Sequence, residues 1–359
     1  MQVDVFDLRE GDQLTSDVFN AHGVHILSKH AILNERDIAK LVQHQIDEVS
    51  IYPRSRSSHL STSPATDDPS SSNKTTIERI NAEILPHFDN AVNGMVHLFD
   101  QIRSGDAITE QQLEQLVDPL IQSIQKQRDS VSLLLLLNSE NDYTYQHCIQ
   151  VGMISYYIAR WLKYEEAEAQ LIGNCGFLHD VGKSRISDDI LNKPGRLTGE
   201  ECELVKQHTI FGWELIQKMK GDCPEATVAL QHHERSDGSG YPKQLTEEQI
   251  HPYAKIVAVA DTYSAMISKR AYKEERDMLD VLKELYALSF TNLDPTVIHT
   301  FIHHMLPNFI HKRVKLSDDS IGEIIMTNPK DFFRPVIRRD GAFLDLSEQK
   351  ELEIKQIFM

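Results

Sequence analysis

The residues of this sequence that are best suited to chemistry are histidines and aspartates that recur in five successive helical patterns. Each falls on or beside an apolar stripe of its own pattern, because residues three or four apart share one face of a helix. A single histidine on a buried stripe is usually an ordinary hydrogen-bonded core residue. Together these residues predict a buried polar cluster. The set is His147, His179, Asp180, His208, His232, His233 and Asp261.

A cluster of this composition is expected to bind metal ions. Each buried polar group without a partner costs about 1 to 3 kcal/mol, and metal binding offsets that cost because the binding free energy adds to folding. Seven ligands exceed the four that one zinc ion uses, which favours two ions. Imidazole and carboxylate without thiolate suit iron or manganese at least as well as zinc. Asp180, adjacent to His179, is the predicted bridge between the ions.

The stretch "HHERSDGSGYP", from His232 to Pro242, places a histidine pair directly before a flexible turn. Adjacent imidazoles on a helix point to different sides, so the pair would contact two different ions or two sides of one ion. A second pair, His303 and His304, has no acidic or glycine-rich segment after it. We interpret the second pair as ordinary core or surface histidines.

Composition narrows the class of protein. The chain has 359 residues, a formal net charge of −17 and four cysteines that form no CxxC pair. The acidic balance argues against sequence-independent nucleic-acid binding, which needs basic surface. The cysteine spacing indicates neither a disulfide framework nor a thiolate zinc site, no apolar run is long enough to span a bilayer, and the N-terminus lacks a secretory signal. We expect a cytoplasmic protein with no nucleic-acid partner and no membrane insertion.

The N-terminal part of the sequence predicts a separate small module. Residues 1–53 alternate short strand-like runs with one helical pattern that Asn34 would cap, which indicates an α+β arrangement. Residues 54–74 are rich in Ser, Thr, Pro and Asp and have almost nothing to bury. They predict a disordered or flexible linker.

The remaining sequence is mostly helical by its periodicity. Residues 75–124 predict a helical lead-in, either a dimerising helix pair or a pair that packs inside one chain. The patterns that carry the histidines and aspartates occupy 125–315. Residues 316–359 return to short strand-like runs separated by turn residues. Within the helical region, Thr198 and Glu201 predict a capping box at the start of a stripe that runs through Leu204 and His208.

Four segments in this region resemble the signature of the HD-GYP domain, the branch of the HD hydrolase superfamily that degrades the bacterial second messenger cyclic di-GMP. They are "HDVGK" from His179, "LNKPGRL" from Leu191, "HHE" and "DGSGYP" from His232, and "VADTYSAMISKRAYK" ending at Lys273. The resemblance covers roughly residues 125–315. It implies a mainly α fold: an all-helical HD-type bundle, here with a small α+β N-terminal module and a short β-rich C-terminal tail.

The resemblance implies the same seven metal ligands and adds residues around them. Lys183 and Asp180 are implied as catalytic, with the lysine on the reacting phosphate. The "GYP" tripeptide would shape the loop on the substrate side, and two cations one helical turn apart would bind phosphate or guanine. The implied substrate-binding residues are Lys183, Gly240, Tyr241, Pro242, Arg270 and Lys273.

The sequence departs from the family pattern at three positions. Members with three metals carry a glutamate where this chain has Tyr143, so two divalent ions are expected and a third is not. Gln244 stands where a glycine usually follows the tripeptide, and Ala271 replaces the usual proline. These last two changes would alter loop geometry without removing a ligand.

The function that the resemblance implies is metal-dependent hydrolysis of cyclic di-GMP to the linear dinucleotide pGpG or to GMP. Two alternatives stay open: an HD hydrolase of another cyclic dinucleotide, or a module that senses cyclic di-GMP or docks a GGDEF-type diguanylate cyclase without turnover. The intact ligand set and tripeptide favour the enzyme. The N-terminal module is similar to a small domain often found ahead of HD-GYP domains, and we assign it regulation or homodimer contacts.

Overall fold

The computed structural model describes residues 2–52, 76–125, 143–267 and 278–358, apart from 6–7, 10, 20–24, 35–36, 39, 42–43, 45, 47, 107–108 and 329–330. The linker predicted at 54–74 lies outside the described residues, as do Arg270 and Lys273. The chain divides into two compact units. None of the helices in the described ranges has the length and apolar character that a membrane span needs.

The first unit contains the N-terminal residues as far as position 85. Its strands are β1 (Gln2–Asp4), β2 (Val18–Phe19), β3 (His25–Leu27) and β4 (Glu48–Ser50). Strands β1 and β4 pair antiparallel, with Val3 opposite Val49, and β2 pairs antiparallel with β3. Apolar side chains of all four strands enter one small core. Asn34 Oδ1 accepts the backbone N–H of Asp37 at 3.0 Å, as expected of a helix cap.

The second unit contains residues 86–124 and the described residues from 143 onward, and it is mainly helical. Helix α1 (Thr76–Arg103) begins in the first unit and continues into the second, where α2 (Glu110–Gln125) follows it along the chain. Short 3-10 turns lie at Val181–Arg185, Glu247–Gln249 and Leu306–Phe309. The other helices are α3 (Tyr143–Trp161), α4 (Glu166–Leu178), α5 (Asp188–Leu191), α6 (Gly199–Lys206), α7 (His208–Lys220), α8 (Pro224–Gln231), α9 (Pro252–Ile267), α10 (Met278–Leu288) and α11 (Pro295–Met305).

Helix α3 occupies the centre of this unit. Every residue from 151 to 159 is buried, and the helix packs chiefly against α4 and α9. A helix that is apolar on all sides is stable only where other elements cover it all round. The position of α3 therefore places His147, which is 4% exposed, inside the protein.

Local hydrogen bonds define where two of the outer helices begin. The Glu201 carboxylate accepts the backbone N–H of Thr198 at 2.7 Å, and the Thr198 hydroxyl accepts the N–H of Glu201 at 3.3 Å. The predicted capping box is confirmed. At the start of α11, the Asp294 carboxylate accepts the N–H of Val297 at 3.1 Å. Each cap satisfies an amide that the helix itself leaves without a partner.

The single apolar stripe predicted to follow Thr198 is wrong. Helix α6 ends at Lys206 and α7 begins at His208, so Leu204 and His208 do not share one continuous face; Leu204 is 37% exposed, whereas His208 is buried. The break brings the start of α7 against Gly182, where a Cβ would overlap the His208 carbonyl oxygen. Close backbone contact, rather than helical spacing, therefore places His208.

The second unit ends in a five-stranded antiparallel sheet of order β8-β7-β6-β5-β9. The strands are β5 (Arg313–Leu316), β6 (Ile321–Met326), β7 (Val336–Arg339), β8 (Ala342–Asp345) and β9 (Ile354–Phe358). Val314, Ile324 and Ile337 point to its buried face and alternate with exposed or half-buried neighbours. The predicted fold class, mainly α with a small α+β N-terminal part and a β-rich C-terminal tail, is confirmed.

Candidate metal centre

Several of the seven predicted ligand residues lie at the ends of helices, whereas their spacing predicted positions on apolar stripes within helices. His208 begins α7, whereas His179 and His232 are the C-cap residues directly after α4 and α8. His147 and Asp261 instead lie within α3 and α9. Helix ends from three directions thus meet two buried helix faces at one place.

The structure brings all seven residues into two adjoining groups. Within each group, the candidate ligand atoms lie within 4.8 Å of one another. Six of the seven are buried, and the side chain of His233 is 20% exposed. Their convergence was predicted, and their service as ligands stays a prediction. The first group is Asp180, His208, His232 and His233, and the second is His147, His179 and Asp261.

Asp180 connects three of the imidazoles. Its Oδ2 lies 3.2 Å from His179 Nε2, and its Oδ1 lies 3.2 Å from His208 Nε2 and 3.8 Å from His232 Nε2. The two carboxylate oxygens therefore face different imidazoles. This is the arrangement that a carboxylate bridging two ions requires.

Asp261 has the corresponding position in the second group. Its Oδ1 lies 3.0 Å from His147 Nε2 and 4.0 Å from His179 Nε2, and its Oδ2 lies 3.9 Å from His233 Nδ1. His179 thus lies between the two carboxylates. The two groups form one continuous polar centre rather than two separate sites.

Backbone carbonyls select the tautomer of three imidazoles. Nδ1 of His179, His208 and His232 lies 2.7, 2.6 and 3.0 Å, respectively, from the carbonyl oxygen of the residue three positions earlier. A carbonyl oxygen can only accept a hydrogen bond, so Nδ1 carries the proton and Nε2 presents a lone pair. Three imidazole lone pairs are therefore directed toward Asp180.

The centre contains acceptors that the protein does not satisfy. Nε2 of His208 and Nε2 of His232 lie 3.2 Å apart, and two lone pairs cannot form a hydrogen bond with each other. His179 Nε2 and Asp180 Oδ1 are buried without a hydrogen-bond partner in the part of the chain that the structure describes. Buried acceptors without donors are costly, and a cation would satisfy all of them. The residues therefore fit divalent metal ions.

Both carboxyl groups of the centre favour the ionised form. Burial alone would raise the pKa of Asp180, but the neighbouring His179 and Lys183 outweigh it and hold this pKa well below its usual range. Burial would likewise raise the pKa of Asp261, but the hydrogen bond and the charge of His147 outweigh it and lower the pKa. Ionised carboxylates are the forms that bind metals.

The imidazoles divide into two electrostatic classes. Burial lowers the pKa of His233 to about 3, and burial together with neighbouring imidazoles holds the pKa of His232 well below its ordinary value. Burial also acts to lower the pKa of His179, but the carboxylate of Asp180 outweighs it and raises this pKa. The carboxylates of Asp180 and Asp261 on either side of His179 therefore stabilise positive charge at this position.

Lys183 lies at the edge of the centre. Its ammonium donates to Asp180 Oδ2, the oxygen that also faces His179, and its side chain is 23% exposed. The lysine is therefore close to the candidate ligands and still accessible from outside. The role on the reacting phosphate that the resemblance implies stays a prediction.

The "GYP" tripeptide places an aromatic ring on a candidate ligand. The Tyr241 ring stacks on the imidazole of His233, with centroids 4.7 Å apart and planes 29° apart. A Cβ at Gly240 would overlap the backbone of Glu234 and Arg235, so this close turn requires glycine. Pro242 continues the loop directly after the tyrosine.

Glu234 holds that loop, a role that the sequence analysis missed. Its carboxylate is buried, with 2% of the residue exposed, and accepts the backbone N–H groups of Lys243 at 2.7 Å and Leu245 at 2.8 Å. The available signal was an acidic residue between a histidine pair and a glycine turn. Nothing in the sequence indicates which amides it would bind.

Two further polar residues near the centre were missed. His147 Nδ1 lies 3.0 Å from Ser264 Oγ, and Ser264 donates to Gln150 Oε1 at 3.0 Å. Gln150 lies three residues after His147, and Ser264 lies three residues after Asp261. Their spacing from the candidate ligands on the same helix face was a usable signal.

A sulfur atom also lies beside the centre, where the sequence predicted no thiolate ligand. The Cys148 sulfur and ligand atoms of His179 and Asp180 lie within 4.8 Å of one another. Burial raises the pKa of the Cys148 thiol well above its ordinary value. A neutral thiol is a poor ligand, so the histidine and aspartate set is kept.

The family of the chain follows from comparison with known proteins. Residues 132–297 match the family model described as HD domain. These residues form an HD domain. The signature segments at His179 and Gly240 lie in the matched range, and the predicted membership of the HD-GYP branch is confirmed.

Several curated relatives of this HD-domain chain are phosphodiesterases. A cyclic di-GMP phosphodiesterase of Pseudomonas aeruginosa is 31% identical over 249 residues, which are 68% of this chain and 59% of that protein. A cyclic di-GMP phosphodiesterase of Thermotoga maritima is 39% identical over 176 residues, 47% of this chain and 48% of that protein. A 3'3'-cGAMP-specific phosphodiesterase of Vibrio cholerae is 33% identical over 174 residues, 48% of this chain and 33% of that protein. The chain spans less than two thirds of each relative.

A solved structure supports the fold of the HD-domain chain. An HDG"Y"P protein from Bdellovibrio bacteriovorus matches 84% of this chain and 97% of its own, with a TM-score of 0.50. The two sequences are 17% identical over this match. At this identity the similarity shows the fold alone.

Proposed function

We propose that the chain is a metal-dependent phosphodiesterase that hydrolyses cyclic di-GMP to pGpG or GMP. The observation that carries this proposal is the pair of adjoining histidine and aspartate groups, with imidazole lone pairs and ionised carboxylates directed into one buried space. The substrate is supported by relatives named cyclic di-GMP phosphodiesterases at 31% and 39% identity.

In this proposal each group would hold one divalent ion, iron or manganese in preference to zinc, and Asp180 would serve both groups. Bound there, the ions would supply a water of lowered pKa and positive charge at the scissile phosphate. A third ion is not part of the proposal, because Tyr143 occupies the position of the extra glutamate ligand. Tyr143 is the first residue of α3, and its side chain lies outside the described residues.

The residues around the ions would position the phosphodiester and balance its charge. Hydrolysis forms a bond between a water oxygen and phosphorus, breaks the bond to the 3′ oxygen, and leaves a proton on that oxygen. An ion at Asp180 Oδ2 would repel the Lys183 ammonium, which donates to the same oxygen. The Lys183 ammonium would therefore turn to a phosphate oxygen and neutralise the charge that develops there.

The substrate side of the centre would be formed by the loop that stacks on His233. Tyr241 presents its aromatic ring beside the candidate metal ligands. Gly240 before it allows the close turn of the backbone, and Pro242 follows it. Arg270 and Lys273 are assigned to phosphate or guanine by the resemblance. The two together would supply the cations that a dinucleotide with two phosphates needs.

A second substrate has a specific observation in its favour. Three relatives from Vibrio cholerae are named 3'3'-cGAMP-specific phosphodiesterases, at 33%, 29% and 27% identity. Hydrolysis of a mixed guanine and adenine dinucleotide by the same centre is therefore the alternative substrate assignment. Beyond catalysis, we assign the protein to the cytoplasm and the N-terminal module to regulation or homodimer contacts. We also propose that the protein docks to a GGDEF-type diguanylate cyclase.

The test combines metal analysis with product analysis on protein purified without oxygen. Wild type is expected to contain two ions per chain and to convert cyclic di-GMP, with 3'3'-cGAMP assayed in parallel. Replacement of His179→Ala with Asp180→Ala should remove both the metal and the turnover, because it deletes one candidate ligand from each group where the two groups adjoin. His303→Ala is the matched control, since this histidine belongs to neither group.

Three results would contradict parts of the proposal. Full turnover by the double variant would exclude the metal mechanism. Conversion of 3'3'-cGAMP without conversion of cyclic di-GMP would replace the substrate. Two bound ions without turnover of either nucleotide would favour a sensing module over an enzyme.

A further inference from the structure

We propose that Ser264 and Gln150 are positioning residues that set the affinity of one of the two metal ions through His147. This inference rests on the proposed metal centre and deepens it. The chain of side chains from Gln150 through Ser264 to His147 is called the hydroxyl relay below. It acts on the group formed by His147, His179 and Asp261.

The relay is built on two facing helices with the same internal spacing. Helix α3 carries His147 and, three residues later, Gln150; helix α9 carries Asp261 and, three residues later, Ser264. Residues three apart lie on one face, so each helix presents a candidate ligand beside a supporting polar side chain. Ser264 is 0% exposed and Gln150 is 6% exposed, so water does not compete strongly for these groups.

The hydrogen bonds of the relay support the tautomer of His147 that can bind an ion through Nε2. Ser264 has one hydroxyl proton and donates it to Gln150 Oε1 at 3.0 Å. The hydroxyl oxygen is then available to accept from His147 Nδ1, which lies 3.0 Å away. A proton on Nδ1 frees the His147 Nε2 lone pair for an ion, in place of the hydrogen bond that Nε2–H can donate to Asp261 Oδ1, 3.0 Å away.

This support differs in kind from that of the other imidazoles. His179, His208 and His232 each donate Nδ1–H to a backbone carbonyl, which no side-chain substitution removes. His147 is oriented by side chains from two helices. The relay therefore makes the affinity of the ion at His147 and Asp261 adjustable without affecting the group around His208 and His232.

Loss of the relay has a defined consequence for metal binding. Without the Ser264 hydroxyl, the Nδ1 proton of His147 loses this acceptor, and the tautomer with the proton on Nε2 becomes competitive. Nε2–H would then donate to Asp261 Oδ1, which removes one donor atom of each residue from the ion. Outer hydrogen-bond partners of metal-binding histidines typically change metal affinity by about 10- to 100-fold.

The experiment is a calorimetric titration of metal-free, full-length protein with Mn²⁺ in the absence of nucleotide. Wild type is expected to bind two ions. Ser264→Ala should weaken one of them by about 10- to 100-fold and leave the other unchanged. Ser264→Thr, which keeps a hydroxyl, should restore affinity. Gln150→Met, which keeps Ser264 but removes its acceptor, should give a smaller loss at the same ion.

The matched control is Ser155→Ala on α3. Ser155 is also 0% exposed, and its hydroxyl has no hydrogen-bond partner among the described residues, so its removal should leave both affinities unchanged. Equal weakening of both ions, or wild-type affinities in Ser264→Ala, would overturn the inference while leaving the metal centre intact. If Ser264→Ala does not fold, unchanged affinities in Gln150→Met have the same meaning. Failure of wild type to bind Mn²⁺ would overturn the proposed function as well.

Discussion

The metal centre in the helical part of the second unit and the C-terminal sheet differ in how far their charged side chains are exposed to water. Around the metal centre, Asp180 is 1% exposed and faces imidazoles that are themselves buried. In the sheet, the side chains of Glu323 and Arg338 form an ion pair at 2.6 Å while remaining 27% and 50% exposed. One region removes charge from water, and the other leaves it there.

The difference shows which charges serve stability and which serve binding. Exposed ion pairs are screened by water and contribute little in either direction. A buried carboxylate facing imidazole lone pairs is costly unless a ligand compensates for it. The unsatisfied acceptors around Asp180 therefore carry a desolvation cost in the metal-free chain, and a bound divalent ion would offset it. Substitutions in the two regions should differ accordingly in size and in kind.

The largest effect is expected from Gly182→Ala. A Cβ at this position would overlap the His208 carbonyl oxygen and the backbone nitrogen of Gly212, which cannot move without shifting α7. We expect a loss of about 3 kcal/mol or more in the free energy of unfolding, together with loss of metal, because Asp180 and His208 separate. Chemical denaturation and elemental analysis measure the two effects.

Gly199→Ala is the control for that substitution. Gly199 lies in α6, and a Cβ there would meet no other atom of the described residues within 4 Å. Alanine is a better helix former than glycine, so this change should be neutral or stabilising by up to about 1 kcal/mol. If both variants behaved alike, close packing at Gly182 would not be what positions the centre.

The candidate ligands were accessible from sequence because helical periodicity is a local property. His147 and Asp261 follow their apolar neighbours at regular spacing, and the structure places them on buried helix faces. His208 was assigned correctly to the centre for a wrong reason, since its position depends on the helix break after Lys206. That break reflects packing against residues far away in the sequence, and periodicity does not contain it.

The groups that orient the ligands were not accessible in the same way. The hydrogen bond between His147 and Ser264 joins residues 117 positions apart, and the amides bound by Glu234 belong to a loop without regular structure. Such contacts depend on how helices pack and how loops close. The register of the C-terminal sheet has the same origin, because alternation predicts strands but not which strands pair.

An intermediate effect, confined to substrate binding, is expected from Glu234→Gln. The carboxylate accepts two backbone N–H groups, whereas an amide can offer only one oxygen and would turn its NH₂ group toward the other donor. The loop should loosen and Tyr241 should leave His233. We expect the KM for cyclic di-GMP to rise about tenfold, equivalent to about 1.4 kcal/mol, with metal content unchanged.

Glu225→Gln provides the comparison for this loop variant. Glu225 is as buried as Glu234, at 2% exposure, but it lies at the start of α8, away from the loop. Its carboxylate accepts a hydrogen bond from Lys220, the last residue of α7. Its replacement should lower stability without changing KM. A fall in kcat with loss of metal in Glu234→Gln would instead mean that the carboxylate positions the adjacent ligands, not the loop.

The smallest effect is expected in the sheet, from Arg338→Ala. Burial acts to raise the pKa of Glu323, but hydrogen bonds from His311 and Arg338 outweigh it and lower the pKa. A carboxyl group with a lowered pKa in the folded state stabilises above its unfolded pKa of about 4.3, and this stabilisation is lost as the pH falls through the folded value. At neutral pH, with solvent screening, the substitution should cost less than about 1 kcal/mol. The cost should vanish in acid, as measured by denaturation at several pH values. A cost that persists after Glu323 is protonated would come from packing of the Arg338 side chain, and the sheet would then resemble the helical core more closely than its exposed charges indicate.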